Sequence, residues 1–162
     1  MSYQEIDHYL NNLRNELLVN GNWQRFFATK EELTNVPKRA GVYVFRNEED
    51  KIVYVGETGS LYARMKNLFD TRNHNLRRSI VKKFYSDIEQ FPNYVLASAS
   101  DKFDKATEDR VNNHLCQELW LAFMEVPLGR KELELQLLKE VDTSCNLNIR
   151  AGHKQADHGQ NA

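Results

Sequence analysis

Two tyrosines, a glycine and an arginine crowd into one short run of this chain, GVYVFRNEEDKIVYVGETGSLYARM, from Gly41 to Met65. Phenols can hold or relay a proton, and an arginine can grip a phosphate or carboxylate with paired N–H groups. Gly41 to Phe45 and Ile52 to Val55 are rich in β-branched and aromatic residues and flank a charged turn, the pattern of an antiparallel hairpin. A loop over Asn47 to Asp50 would set Arg46 opposite Lys51 and Tyr43 opposite Tyr54. Opposed residues share a face, with Cβ atoms about 4.5–5.5 Å apart, so both phenols would project together. A core aromatic pair needs the same spacing, and this reading stands beside the chemical one. Gly56 leaves the strand end open to close approach. Ser60 can cap a helix with apolar positions at Leu61, Met65, Leu68 and Phe69, and Arg64 lies on its flank, from where it can point back over the sheet.

A carboxylate far along the chain has the pattern of a site residue. In the helix expected over Arg130 to Val141, stepping about 100° per residue puts Glu134 inside the arc of Leu133, Leu137, Leu138 and Val141, with Glu132 and Glu140 outside it. An ionised carboxylate there needs a cation, strong hydrogen bonds or a metal to offset desolvation. A structural arginine would serve as well, as would a first turn that emerges from the core.

Other elements frame these residues. Ile6, Leu10, Leu13 and Leu17 define an amphipathic helix up to Leu18, stopped by Asn20 to Asn22, and a second short segment surrounds Thr29 to Leu33. NHNLRRSIVKKFY reads as a helix with Leu76, Ile80 and Phe84 inside, Asp101 to Gln117 as a polar helix, and Leu119 to Val126 as a buried strand. After Arg150 a disordered polar tail is expected, leaving an accessory segment over 1–38 and a main domain over 39–150. With 162 residues, 41% of them apolar, one core needs no disulfide, and Cys116 and Cys145 read as reduced thiols. No apolar run approaches the roughly 20 residues of a membrane helix, and the amino terminus lacks the pattern of a secretory signal, so the expectation is a cytoplasmic protein without a membrane partner. The sequence is silent on oligomeric state. The net charge of −1 hides an uneven distribution: between Ser60 and Tyr85, seven basic residues face one acidic residue, Asp70. Arg77, Arg78, Lys82 and Lys83, with His74 beside them, are the candidates there for binding a polyanion such as DNA, against the alternative of a solvated helix face.

GVY, YVG, the arginine eight residues past that glycine, and LELQLLKEVDTSCNLN together resemble the GIY-YIG nucleases, over Gly41 to about Asn148. The resemblance implies an α+β fold, a small three-stranded, mainly antiparallel sheet flanked by helices, with the N-terminal helix as an accessory. It implies a divalent-metal-dependent endonuclease that hydrolyses DNA phosphodiester bonds in restriction, repair or mobile-element processing, with Mg2+ or Mn2+ as cofactor. By position, Tyr43 and Tyr54 are the signature tyrosines, Gly56 the signature glycine, Arg64 the catalytic arginine, Glu134 the catalytic metal ligand and Asn146 the supporting amide. Tyr54, bonded to Tyr43, would then position and deprotonate water while Arg64 contacts the scissile phosphate. The chain departs from the pattern at Glu57, where incision-type members often have lysine, and at Leu68, where many have tyrosine or histidine. His74, Arg77 and Lys82 are the candidates to replace the missing polar group. The departures keep two alternatives in view: a DNA-binding module that cleaves weakly or not at all, and a protein-interaction domain.

Overall fold

The computed structural model describes residues 1–85 and 101–148. The polar tail expected over 151–162 lies outside them. Helix α1 spans Tyr3–Leu18 and opens with a capping box: Ser2 Oγ accepts the Glu5 N–H, and the Glu5 carboxylate accepts the Ser2 N–H at 2.6 Å. Strand β1, Gln24–Arg25, is followed by a 3₁₀ turn over Lys30–Asn35. The hairpin comprises β2, Gly41–Arg46, and β3, Ile52–Thr58, and leads into α2, Leu61–Asn67. Helix α3, Asn75–Ile80, widens into a π turn over Val81–Tyr85, and α4, Lys105–Asn113, into another over His114–Glu118. Strand β4, Trp120–Glu125, and helix α5, Arg130–Leu138, complete the described elements.

The sheet has the order β1-β4-β2-β3 and is antiparallel throughout. Three strands were expected; the fourth, β1, pairs through Gln24 and Arg25 with Leu121 and Trp120 at the outer edge of β4. Side chains hold this short ladder: the Arg25 guanidinium lies 4.0 Å from the Trp120 ring centroid, and Phe26 is buried beside Phe45. Helices cover both faces. Val42, Val44, Val55 and Ala122 pack on one side against Leu10 and Leu17 of α1 and Leu133 and Leu137 of α5. Tyr43, Phe45 and Tyr54 face the other side, towards Leu61 and Met65 of α2 and Leu76 and Ile80 of α3. The N-terminal helix α1 thus packs with α5 on this face of the sheet.

Two local expectations are corrected. The hairpin register places Tyr43 opposite Gly56 and Phe45 opposite Tyr54, so Tyr43 and Tyr54 are diagonal neighbours. The turn is longer than expected, because Asn47 Oδ1 accepts the N–H groups of Glu49 and Lys51 while Asp50 takes a left-handed φ of 60°. A bulge between Phe45 and Arg46 then shifts the ladder. Phe84, expected inside, is 42% exposed. The π turn inserts an extra residue per turn and rotates its side chain out of the α3 stripe.

Strand β3 is an edge, and the segment after α5 closes it. The Asp142 N–H donates to Ile52 O, the Leu147 N–H donates to Val53 O, and the Asn148 amide both accepts from Val55 N–H at 2.9 Å and donates to Val55 O at 2.7 Å. A polar segment thus satisfies the backbone groups that an open edge would expose.

Candidate active site

Tyr43 is fully buried, and its ring lies across Gly56. A Cβ on Gly56 would meet Tyr43 Cζ at 2.3 Å and Oη at 2.4 Å, so only glycine fits opposite this tyrosine. The Tyr43 and Tyr54 ring centroids are 6.0 Å apart, tilted by 31°. Arg64 reaches back from α2, as its position on the helix flank suggested, and donates its Nε–H to Tyr43 Oη at 3.0 Å. His74 caps α3: its Nδ1 accepts the Leu76 N–H at 3.1 Å, and its Nε2 lies 3.0 Å from Tyr43 Oη.

Beside this cluster a polar cavity of about 210 Å³ is lined by Tyr54, Glu57, Arg64, Asn75, Glu134 and Asn148, among others. Tyr54, not Tyr43, lines the cavity. Burial raises the pKa of both phenols, Tyr43 well above its ordinary value. For Tyr54 the Tyr43 hydrogen bond and Arg64 oppose this rise, while the charge of Glu134 adds to it. A larger cavity, about 360 Å³, lies around Glu48, Phe84, His114 and Cys145, away from the convergent polar groups.

The donor set fits a hard cation better than a closed nitrogen and sulfur site. Among the described residues no group of three or more His, Cys, Asp or Glu side chains is placed to hold a metal. The cavity offers the carboxylates of Glu134 and Glu57, and Glu57 already accepts from Arg130 Nε at 2.7 Å. Oxygen donors beside open polar volume suit an ion that keeps most of its waters, as magnesium does.

The other expected residues divide. Asn146 does not line the cavity; its Oδ1 accepts the Asn148 N–H at 2.8 Å, and Asn148 is the amide that reaches the site. Arg77, a candidate for the DNA-facing surface, is instead 2% exposed. It donates to Glu108 at 2.5 Å, Asn112 at 2.8 Å, Thr71 at 3.0 Å and Leu68 O at 3.2 Å. A guanidinium spent in this way has nothing to offer a phosphate. Half-buried Arg78 donates to Thr71 O at 2.7 Å and to Asn75. Lys82 and Lys83 are exposed. Leu68 is fully buried in the core, so the polar position that it vacates is filled with packing. His74, considered for the surface, is buried in contact with Tyr43. The sequence reading missed Asn75, Asn148 and the Glu57–Arg130 pair; the NLN run containing Asn148 was visible, but only the β3 edge determines which asparagine faces the cavity.

Residues 39–101 match the sequence model of the UvrC-like GIY-YIG domain. UvrABC system protein C of Methanococcus maripaludis is 32% identical over 54 residues, 33% of this chain and 10% of its own length. The protein of the same name from Alkaliphilus oremlandii is 41% identical over 49 residues, 30% of this chain and 8% of its own length. The match thus spans about a tenth of these curated relatives. Among solved structures, the GIY-YIG N-terminal endonuclease domain of UvrC from Thermotoga maritima, bound to magnesium as its catalytic divalent cation, is similar at 16% identity and a TM-score of 0.38. That alignment covers 74% of this chain and 94% of the other. Glu134 and Asn148 lie beyond the family match, at the carboxyl side of residue 101.

Proposed function

We propose that this chain is a DNA endonuclease that hydrolyses phosphodiester bonds with a divalent cation held by Glu134. The observation that carries this reading is the convergence of a phenol, a guanidinium and a carboxylate from β3, α2 and α5 on one small polar cavity. Magnesium or manganese, when bound, would stabilise negative charge on the phosphate and the leaving oxygen. The Arg64 guanidinium lines the cavity with Nε committed to Tyr43. Its remaining N–H groups would grip the scissile phosphate, held in place by that anchor. Tyr54 is the group placed to orient the attacking water and take its proton at Oη, with Tyr43 fixing the hydroxyl from behind. Asn148, by holding Val55 on both its N–H and C=O, keeps the Tyr54 backbone in place. Arg130, paired with Glu57, brings a cation to the cavity rim at a position where the sequence carries an acid.

The test is Glu134→Gln, which removes charge and keeps shape. Plasmid DNA with magnesium or manganese is expected to be cleaved by the parent and left intact by the variant, with DNA affinity within a few-fold of the parent. Parent-like turnover of the variant removes Glu134 from the site. An uncut substrate with the parent, despite DNA binding, would favour a binding module. Sequencing the cut ends from a diverse DNA library then separates recognition of a sequence from recognition of a structure.

A further inference from the structure

His74 uses both ring nitrogens inside the protein, and their geometry dictates where its proton lies. The Leu76 N–H points at Nδ1, so Nδ1 carries a lone pair. A neutral imidazole has one N–H, and it must therefore be on Nε2, donating to Tyr43 Oη. Burial, with Arg64, Arg78 and Arg77 nearby, disfavours the doubly protonated ring. Arg64 Nε donates to the same phenol oxygen from another direction. With two donors arriving, Tyr43 has filled its acceptor sites, and its own O–H can only donate. The phenol beside it is Tyr54, whose ring centroid lies 6.0 Å from that of Tyr43.

We propose that His74 is a positioning residue: the backbone at Leu76 fixes its tautomer, the tautomer makes Tyr43 a donor, and Tyr43 thereby holds Tyr54 with its remaining lone pair towards the cavity. The hydrogen-bond chain runs one way, from Leu76 N–H through His74 and Tyr43 to Tyr54. Neither His74 nor Tyr43 needs to touch the substrate. This inference rests on the reading that Tyr54 handles water, but the proton order itself does not.

Two measurements separate the inference from that reading. In protein labelled with ¹⁵N-histidine, long-range ¹H–¹⁵N correlation reads each tautomer directly, and the signal lost in His74→Asn assigns His74. The Nε2–H form is expected at neutral pH without DNA or metal; an Nδ1–H form or an imidazolium overturns the proposal whether or not the protein cleaves DNA. The second measurement compares His74→Asn with His74→Gln. Asparagine is a preferred helix cap and can accept the Leu76 N–H, but is too short to reach Tyr43. Glutamine can place an N–H near the position of Nε2. If His74 orients Tyr43, His74→Asn keeps its melting temperature but loses on the order of tenfold in kcat with KM for DNA little changed, and His74→Gln recovers most of the loss. The reverse order, with asparagine benign and glutamine damaging, means that His74 is only a cap and overturns the proposal. Should the parent cleave nothing, the nuclease reading fails while the tautomer measurement still decides the hydrogen-bond chain.

Discussion

Arg64 and Arg77 stand on adjacent helices, both aimed inward, and have opposite fates. Arg64 is half-buried with one donor tied to a phenol and the rest of its fork at an open cavity. Arg77 is 2% exposed, its fork shared among Glu108, Asn112, Thr71 and a backbone carbonyl. Residue type and local charge are the same; what differs is whether the protein itself supplies enough acceptors. An arginine with its donors filled and its charge paired holds helices together, and one held by a neutral group keeps its charge for a ligand.

The largest expected effects test that contrast directly. Arg77→Ala leaves Glu108 uncompensated and is expected to cost about 3–5 kcal/mol in urea unfolding, with the cleavage rate per folded molecule unchanged. Arg64→Ala is expected to change stability by about 1 kcal/mol or less while slowing cleavage on the order of 10²–10³-fold, as for loss of a donor to developing charge. Similar stability losses in the two variants would dissolve the distinction.

The difference between the two arginines was only partly legible in the sequence. Both appeared as basic residues beside apolar stripes, and only Arg64 had a neighbouring motif to locate it. The partner of Arg77, Glu108, comes from α4, and no local pattern links Thr71, Glu108 and Asn112. The hairpin shows why its site was easier to read. Its register was misplaced because Asn47 lengthens the turn and a bulge follows, yet both tyrosines remained on the expected face. Side chains alternate with a period of two, so a slip of two residues preserves the face and a slip of one would have reversed it. Glu134, which lines the cavity, stood out in the sequence because a carboxylate in an apolar stripe is anomalous by itself. Asn148 was not, since its place depends on how the chain returns along the edge of β3.

Within the cavity, Tyr54→Phe sharpens the comparison between the two phenols. It keeps the ring and removes the hydroxyl, so single-turnover cleavage is expected to fall about a hundredfold with DNA affinity retained. A rate unchanged by that substitution would exclude the Tyr54 hydroxyl as proton acceptor and move the chemistry to another group.

A smaller effect follows from the buried histidines. Burial lowers the pKa of His74 well below its ordinary value, and of His114 as well, where Glu118 opposes the shift. Below about pH 6.5 the unfolded chain binds protons at these positions that the native state excludes. More protons bound in the unfolded state means that stability falls as the solution is acidified, by at most about 1.4 kcal/mol per pH unit per histidine. Above that pH the penalty is absent. His74→Gln, which cannot titrate, is expected to flatten the slope of unfolding free energy between about pH 6.5 and 5, before most carboxylates titrate. An unaltered slope would mean that His74 takes up its proton in the native state.

The smallest expected effect concerns the basic residues that the protein leaves unspent. Arg77 is sealed, and Arg78 is engaged with backbone carbonyls and Asn75, but Lys82 and Lys83 stand exposed at the end of α3. If the contrast between filled and free cations extends to this surface, the lysines and not the arginines carry the segment's contacts to DNA. Replacing Lys82 and Lys83 together with glutamine should leave stability unchanged and weaken binding to unrelated duplexes alike. Each lost phosphate contact should reduce the log–log salt slope by about 0.9, because counterion release depends on neutralised phosphates and not on base identity. Loss on one sequence only would point to base-edge readout. An unchanged slope would assign both lysines to a solvated face and move the search for the DNA-tracking surface to the cavity rim, where Arg130 stands.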